Sequence, residues 1–143
     1  MKIYKCLLTG DEILWDNGLP LAEEEDIVYV VEGRHKEEGA KVFDVVEENR
    51  LQEVFLDKTS YHQHIVGYLR EIKSRLEATQ PDRVQPFMTG AQSFVKKVSS
   101  SFDEWQFFAG ESQNLEGMLV LARHEGDRAR FYFFKDGLCG EKV

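Results

Sequence analysis

Tyr61-His62-Gln63-His64-Ile65-Val66-Gly67-Tyr68-Leu69-Arg70-Glu71-Ile72-Lys73-Ser74-Arg75-Leu76 is where the hydrophobic pattern of this chain changes period. Tyr61, Ile65, Leu69, Ile72 and Leu76 recur every three or four residues, which places them on one face of a helix of about five turns. Asp57 or Thr59 can cap its start by accepting from a free backbone N–H. Thr79-Gln80-Pro81-Asp82 breaks it. A second helix begins at Val84–Phe87, where Pro86 is tolerated because first-turn N–H groups have no helical partner anyway. Its stripe is Phe87, Ala91, Phe94 or Val95, Val98 and Phe102. Two helices with so short a join form an αα-hairpin over about 59–101.

On both sides of the hairpin the period falls to two. Met1–Leu8 alternates in part, and Ile27–Glu32 is β-branched and aromatic up to Gly33. Lys41–Glu47 and Leu51–Leu56 read as strands joined by Glu48-Asn49-Arg50. Glu104–Ala109, Gly117–Arg123 and Arg130–Lys135 complete the set. Strands, then a helical hairpin, then strands predicts an α+β fold with largely antiparallel sheets, in one domain spanning 1–143. Asp16–Asp26 and Arg34–Gly39 read as flexible pieces.

The 143 residues are 42% apolar and include ten Phe, enough for a core built on large rings. No run of about 18 apolar residues is present, so no membrane-spanning helix is expected. The N-terminus lacks a long apolar segment, so a secretory signal is not expected either, and the location read from the sequence is cytoplasmic. Two cysteines, Cys6 and Cys139, make no disulfide framework but could meet in space; reduced thiols are expected. The net charge of −8 argues against general nucleic-acid binding. Between Lys58 and Ser100, however, seven Lys/Arg face three acids. A basic hairpin inside an acidic chain favours acidic partners at that end.

Recognisable catalytic chemistry is missing. No CxxC pair or EF-hand loop occurs. His62 and His64 are two apart, so on a helix they point about 200° from each other and share no ligand face; they read as surface residues. There is no GxSxG elbow and no phosphate loop. Adjacent rings in Phe107-Phe108 and Phe131-Tyr132-Phe133-Phe134 point to opposite sides of their strands, so one set enters the core and the other meets the helices, meets a partner or stays exposed. Trp15 sits in the polar stretch Asp11–Pro20, where a partly exposed ring could anchor an interface.

Three short words carry a resemblance. Arg83-Val84-Gln85-Pro86-Phe87-Met88-Thr89-Gly90, Phe107-Phe108-Ala109-Gly110-Glu111 and Phe133-Phe134-Lys135-Asp136-Gly137-Leu138, in that order, resemble the translationally controlled tumour protein (TCTP) family. The opening Met1-Lys2-Ile3-Tyr4 followed by Asp11-Glu12 fits the same family. This chain resembles a divergent or loop-shortened member. Only Arg34–Gly39 stands where the family carries a long acidic loop, Ala109 replaces the usual Ile or Met, and Glu141-Lys142-Val143 replaces the terminal Cys of many animal relatives.

The resemblance implies a tent-like β-rich body with a projecting helical hairpin, similar to a small Rab-associated exchange factor. It implies a non-enzymatic, monomeric, cytoplasmic protein of growth and survival, with no obligatory cofactor. The implied partners are small GTPases of the Rheb or Rab type and tubulin. Glu12 and Glu111 carry over as GTPase contacts, and Gln106 as a weak calcium site. The basic hairpin, through Lys58, Arg70, Lys73, Arg75, Lys96 and Lys97, corresponds to the tubulin-binding region. A chaperone-like role through exposed aromatics, Trp15 or the sheet Phe residues, is the alternative.

Overall fold

Alternation along the aromatic strands decides the architecture. A computed structural model describes residues 2–16, 21–34, 45–46, 49–125 and 128–142. In chain order these form β1 (Lys2–Cys6), β2 (Glu12–Asp16), β3 (Leu21–Glu24), β4 (Val28–Arg34), β5 (Gln52–Val54), α1 (Lys58–Thr79), α2 (Val84–Ser100), β6 (Trp105–Ala109), β7 (Val120–Glu125), β8 (Arg128–Phe134) and β9 (Leu138–Lys142). The strands make two antiparallel sheets, one of three in the order β2-β1-β9 and one of six in the order β3-β4-β8-β7-β6-β5. The expected α+β class with a two-helix hairpin is what the chain adopts.

The register puts Tyr132 opposite both Val30 and Leu121, and Leu121 opposite Phe107. These residues, with Trp105 and Phe134, share the face that the helices cover. Phe134 meets Tyr68 and Phe87, Phe94 meets Tyr132 and Trp105, and Tyr61 meets Phe107. The other face holds Tyr29, Val31, Phe108, Phe131 and Phe133. There Tyr29 meets Tyr4 of β1, at 5.7 Å between ring centroids, and Val45 packs beside Phe131 over Gly33. A sheet buried on both faces accounts for the uninterrupted ring run on β8, which is the pattern that removes both faces from water. Phe107, Phe108, Phe131, Phe133 and Phe134 are all buried, so of the outcomes open to the second set of rings it is contact with the helices that occurs, and the sheet Phe residues are not exposed as the chaperone-like alternative requires. Among the described residues the exposed large apolar side chains are Phe55, Val66 and Leu115.

Both helices follow from local chemistry. The Asp57 carboxylate accepts from the Ser60 N–H at 2.7 Å and caps α1. The Gln80 N–H closes the last turn on Leu76 O, and Pro81–Arg83 forms a single 3₁₀ turn before α2. Pro86 is the third residue of α2, where its missing N–H costs nothing. The buried stripes are Tyr61, Ile65, Tyr68, Leu69, Ile72 and Leu76 on α1, and Phe87, Ala91, Phe94 and Val98 on α2. Gly90 is where α2 crosses Ile27, since a Cβ there would stand 3.0 Å from the Ile27 Cβ.

Other expectations need correction. Glu12–Asp16 is a strand, not a polar loop, and Trp15 is half-buried within it. Leu21–Glu24 is a strand inside the stretch expected to be flexible. Val45 and Val46 belong to a helical turn rather than a strand, and β5 pairs with β6 instead. The rest of Lys41–Glu47 and residues 35–39 lie outside the described residues. His62 and His64 are half-buried, not on the surface. His62 Nε2 lies 2.7 Å from Ser99 Oγ on the facing helix, and His64 Nε2 lies 2.9 Å from Gly117 O. Cys6 and Cys139 sit on neighbouring strands, but the register pairs Cys139 with Lys5 and Cys6 with Leu138. Their side chains therefore leave opposite faces; Cys6 is buried, Cys139 is exposed, and both are free thiols.

Arg83, at the corner of the hairpin, holds it to the sheets. Its guanidinium donates to Asp136 at 2.6 and 3.0 Å, to the Asp26 carboxylate at 2.6 Å and to the Asp26 carbonyl at 2.9 Å. Lys135 reaches the same Asp26 at 2.6 Å. The β3–β4 turn that presents Asp26 places Glu25 and Asp26 at φ 53° and 59°, a left-handed conformation that costs L-residues energy. The hydrogen bonds from Lys135 and Arg83 hold the Asp26 carboxyl below the usual range. Its stabilising contribution is present above pH ~3.8 and is lost as pH falls through the depressed folded value. Asp26→Asn is expected to lower stability at pH 7 and to have little effect near pH 2, checked by urea unfolding at both. Arg83→Met strands the Asp136 carboxylate, whose side chain is only 5% exposed. The expected loss is about 2–4 kcal/mol at pH 7, read as a shift in the unfolding midpoint.

Candidate partner-binding surfaces

Asp11 and Gly110 touch. A Cβ on Gly110 would stand 2.5 Å from the Asp11 Oδ2 and 2.8 Å from its Cβ, so only glycine permits this approach. The Asp11 carboxylate also accepts from the Ser112 hydroxyl at 2.6 Å. The contact docks the turn before β2 against the loop after β6, and each neighbour of the pair is a carboxylate. Glu12 and Glu111 thereby line one small cleft of about 170 Å³, together with Trp15, Asn49 and Arg50.

Asn49 builds the floor of that cleft. It is a buried polar side chain whose Oδ1 accepts from the Trp15 N–H at 2.7 Å and whose Nδ2 donates to Val45 O at 2.9 Å. Arg50 follows with φ 54° and turns outward, where its Nη1 meets Glu111 Oε2 at 3.2 Å. Both side chains of that pair are well exposed, so it is worth about 0–1 kcal/mol and opens readily. Glu12 is exposed, with no partner among the described residues. The cleft therefore presents one free carboxylate, one held by an exchangeable arginine, and a half-buried indole. Asn49 and Arg50 were seen in the sequence only as a connection between strands.

The six hairpin cations divide. Arg70, Lys73 and Lys96 rim one groove of about 490 Å³ between the outer faces of α1 and α2, floored by Ile65, Leu69, Met88 and Val95. Arg75 faces another cavity and lies 3.9 Å from Glu71. Lys58 lines the base of the hairpin, and Lys97 Nζ lies 5.8 Å over the Tyr132 ring. Arg83, counted with the basic segment, is consumed by its two aspartates. Gln106 lies on β6, where its amide donates to Glu53 at 3.0 Å and its carbonyl faces His124. Calcium takes six to eight oxygens. Gln106 and Glu53 bring two side chains with oxygen ligands together, and among the described residues there is no group of three or more His, Cys, Asp or Glu that could hold a metal. No described helix is long and apolar enough to cross a membrane.

The model of the translationally controlled tumour protein family matches residues 34–139. The chain belongs to the TCTP family. A TCTP homologue of Mycosarcoma maydis is 34% identical and one of Kluyveromyces lactis 37% identical, each aligned over 100% of both chains. A Gallus gallus homologue is 36% identical over 99% of each. The Mycosarcoma maydis alignment runs over 168 positions against 143 residues here, so that TCTP relative has residues with no counterpart in this chain. Among solved structures, the translationally controlled tumor-associated protein p23fyp of Schizosaccharomyces pombe superposes with a TM-score of 0.88 at 34% identity, covering both chains fully. Caenorhabditis elegans TCTP superposes at 0.79 with 21% identity, covering 100% of this chain and 99% of that one, which supports the fold.

Within this TCTP fold the Asp11–Gly110 contact predicts how the cleft fails. Gly110→Ala is expected to cost about 1–3 kcal/mol, because the new methyl displaces Asp11. Thermal unfolding and the amide shifts of Glu12 and Glu111 would report the loss together.

Proposed function

We propose that this chain is a non-enzymatic binding protein that engages small GTPases through the Glu12–Glu111 cleft. The observation carrying the reading is that two acids far apart in sequence share one cleft beside a half-buried Trp15. An exposed carboxylate at a nucleotide site can compete for Mg²⁺ or pair with a phosphate-binding lysine, and either weakens nucleotide binding. The Arg50–Glu111 pair suits this, since a partner's cation can replace Arg50 at small cost. Glu12→Val is expected to weaken binding to a nucleotide-free or GTP-loaded Rheb-type GTPase by about tenfold while leaving the Tm unchanged. Equal affinity of both proteins in that pull-down removes the role.

The groove rimmed by Arg70, Lys73 and Lys96 supports a second contact, with an acidic partner of the tubulin-tail kind. None of the three makes an ion pair among the described residues, so their charge is available. Binding through them falls as salt rises and the Debye length shrinks. A triple Arg70→Gln, Lys73→Gln, Lys96→Gln variant is expected to lose most of the salt-dependent part of tubulin binding. Tubulin affinity that ignores ionic strength argues against this contact. A cytoplasmic location belongs to the same proposal.

A further inference from the structure

The cavity where α1 meets the 110–119 loop takes no part in either contact. It measures about 520 Å³, a volume typical of small-molecule sites. One wall is aromatic: the His64 and Tyr68 rings stack at 5.9 Å between centroids, with 13° between their planes. Leu8 and Leu115 add apolar surface, and Leu115 is one of three large apolar side chains exposed among the described residues. Gly67 completes the helical side, with nothing within 4 Å of where its Cβ would stand, so the wall there is open.

The polar groups are mostly acceptors. His64 Nε2 faces the Gly117 carbonyl, which can only accept, so Nε2 carries the proton and Nδ1 is a bare acceptor. That Nδ1 is buried with no hydrogen-bond partner. Glu116 and Glu71 bring two carboxylates against one cation, Arg75. Arg75 and Glu71 are both about half exposed and 3.9 Å apart, a weak pair. Glu116 makes no ion pair among the described residues. An anion would meet two carboxylates here, and a neutral apolar molecule would leave the acceptors unmatched.

We infer that this cavity binds a small organic ammonium: a primary amine on a flat apolar body. The ammonium supplies N–H donors to Glu116 and Glu71, and the body packs on Leu8, Leu115 and the half-buried His64 ring. Because none of these residues lies in the Glu12–Glu111 cleft or the basic groove, the inference stands or falls apart from the GTPase reading.

The test is an NMR titration of the full chain with tryptamine and two near-isosteres, neutral tryptophol and anionic indole-3-propionate. Tryptamine is expected to shift the amides around His64–Tyr68 and Leu115–Gly117, and to bind about tenfold tighter than tryptophol. Indole-3-propionate is expected to shift nothing there. Glu116→Gln should bring tryptamine down toward tryptophol. Gly67→Leu puts a strong helix former into the open wall, so it should abolish binding without lowering the Tm. The inference is overturned by any of three results: no shifts at about 5 mM tryptamine, which leaves water as the occupant; equal affinity for all three compounds; or tryptamine shifts that survive Gly67→Leu.

Discussion

The fork of Arg83 holds three separate parts of the chain at one point. A guanidinium is planar, permanently charged and able to donate in two directions at once. Here it spends those donors on Asp136, in the 3₁₀ turn between β8 and β9, and on Asp26, in the turn between β3 and β4. The hairpin corner is thus fixed to the six-stranded sheet, and Phe87 and Tyr68 come down on Phe134. The left-handed backbone at Glu25 and Asp26 is tolerated because the same turn gains three charge-assisted hydrogen bonds, two from Arg83 to the Asp26 carboxylate and carbonyl and one from Lys135 to the carboxylate. Words that look like separate signatures in the sequence, one starting at Arg83 and one containing Asp136, are two halves of this contact.

What could be read from the sequence follows the range of the forces involved. α1 and α2 were legible because a stripe every three or four residues, an Asp cap and a Pro break all act within a few positions. β6 and β8 were legible from the density of rings. β2, β3 and β9 were not, because their partners are distant or their side chains are polar. Leu21–Glu24 reads as an acidic, flexible run until Glu24 is seen against Arg130 and Glu23 against Lys135. Trp15 reads as a loop residue until its N–H is seen on Asn49.

The cleft was legible only by resemblance. Nothing local to Glu12 or Glu111 sets them apart from the other carboxylates, and their meeting depends on Asp11 and Gly110. Asn49 was invisible for the same reason: it matters because it satisfies the Trp15 N–H of β2, a strand to which its own segment is not joined. The charge count suffered the opposite error. It summed cations that the fold then divided, with Arg83 built into the clamp, Lys97 over an aromatic ring and three residues left around one groove.

The three-stranded sheet places β1 between β2 and β9. Its central strand leaves the ribosome long before β9, one of its two neighbours. Until Leu138–Lys142 emerges, β1 keeps an open edge, and the buried side of Tyr4 and Cys6 lacks part of its cover. The helical hairpin and the β6–β8 meander have short-range contacts and can form while synthesis continues. Closure of the small sheet therefore waits for every other described strand to be made, and a nascent chain stalled before Leu138 would expose a ready template for strand pairing.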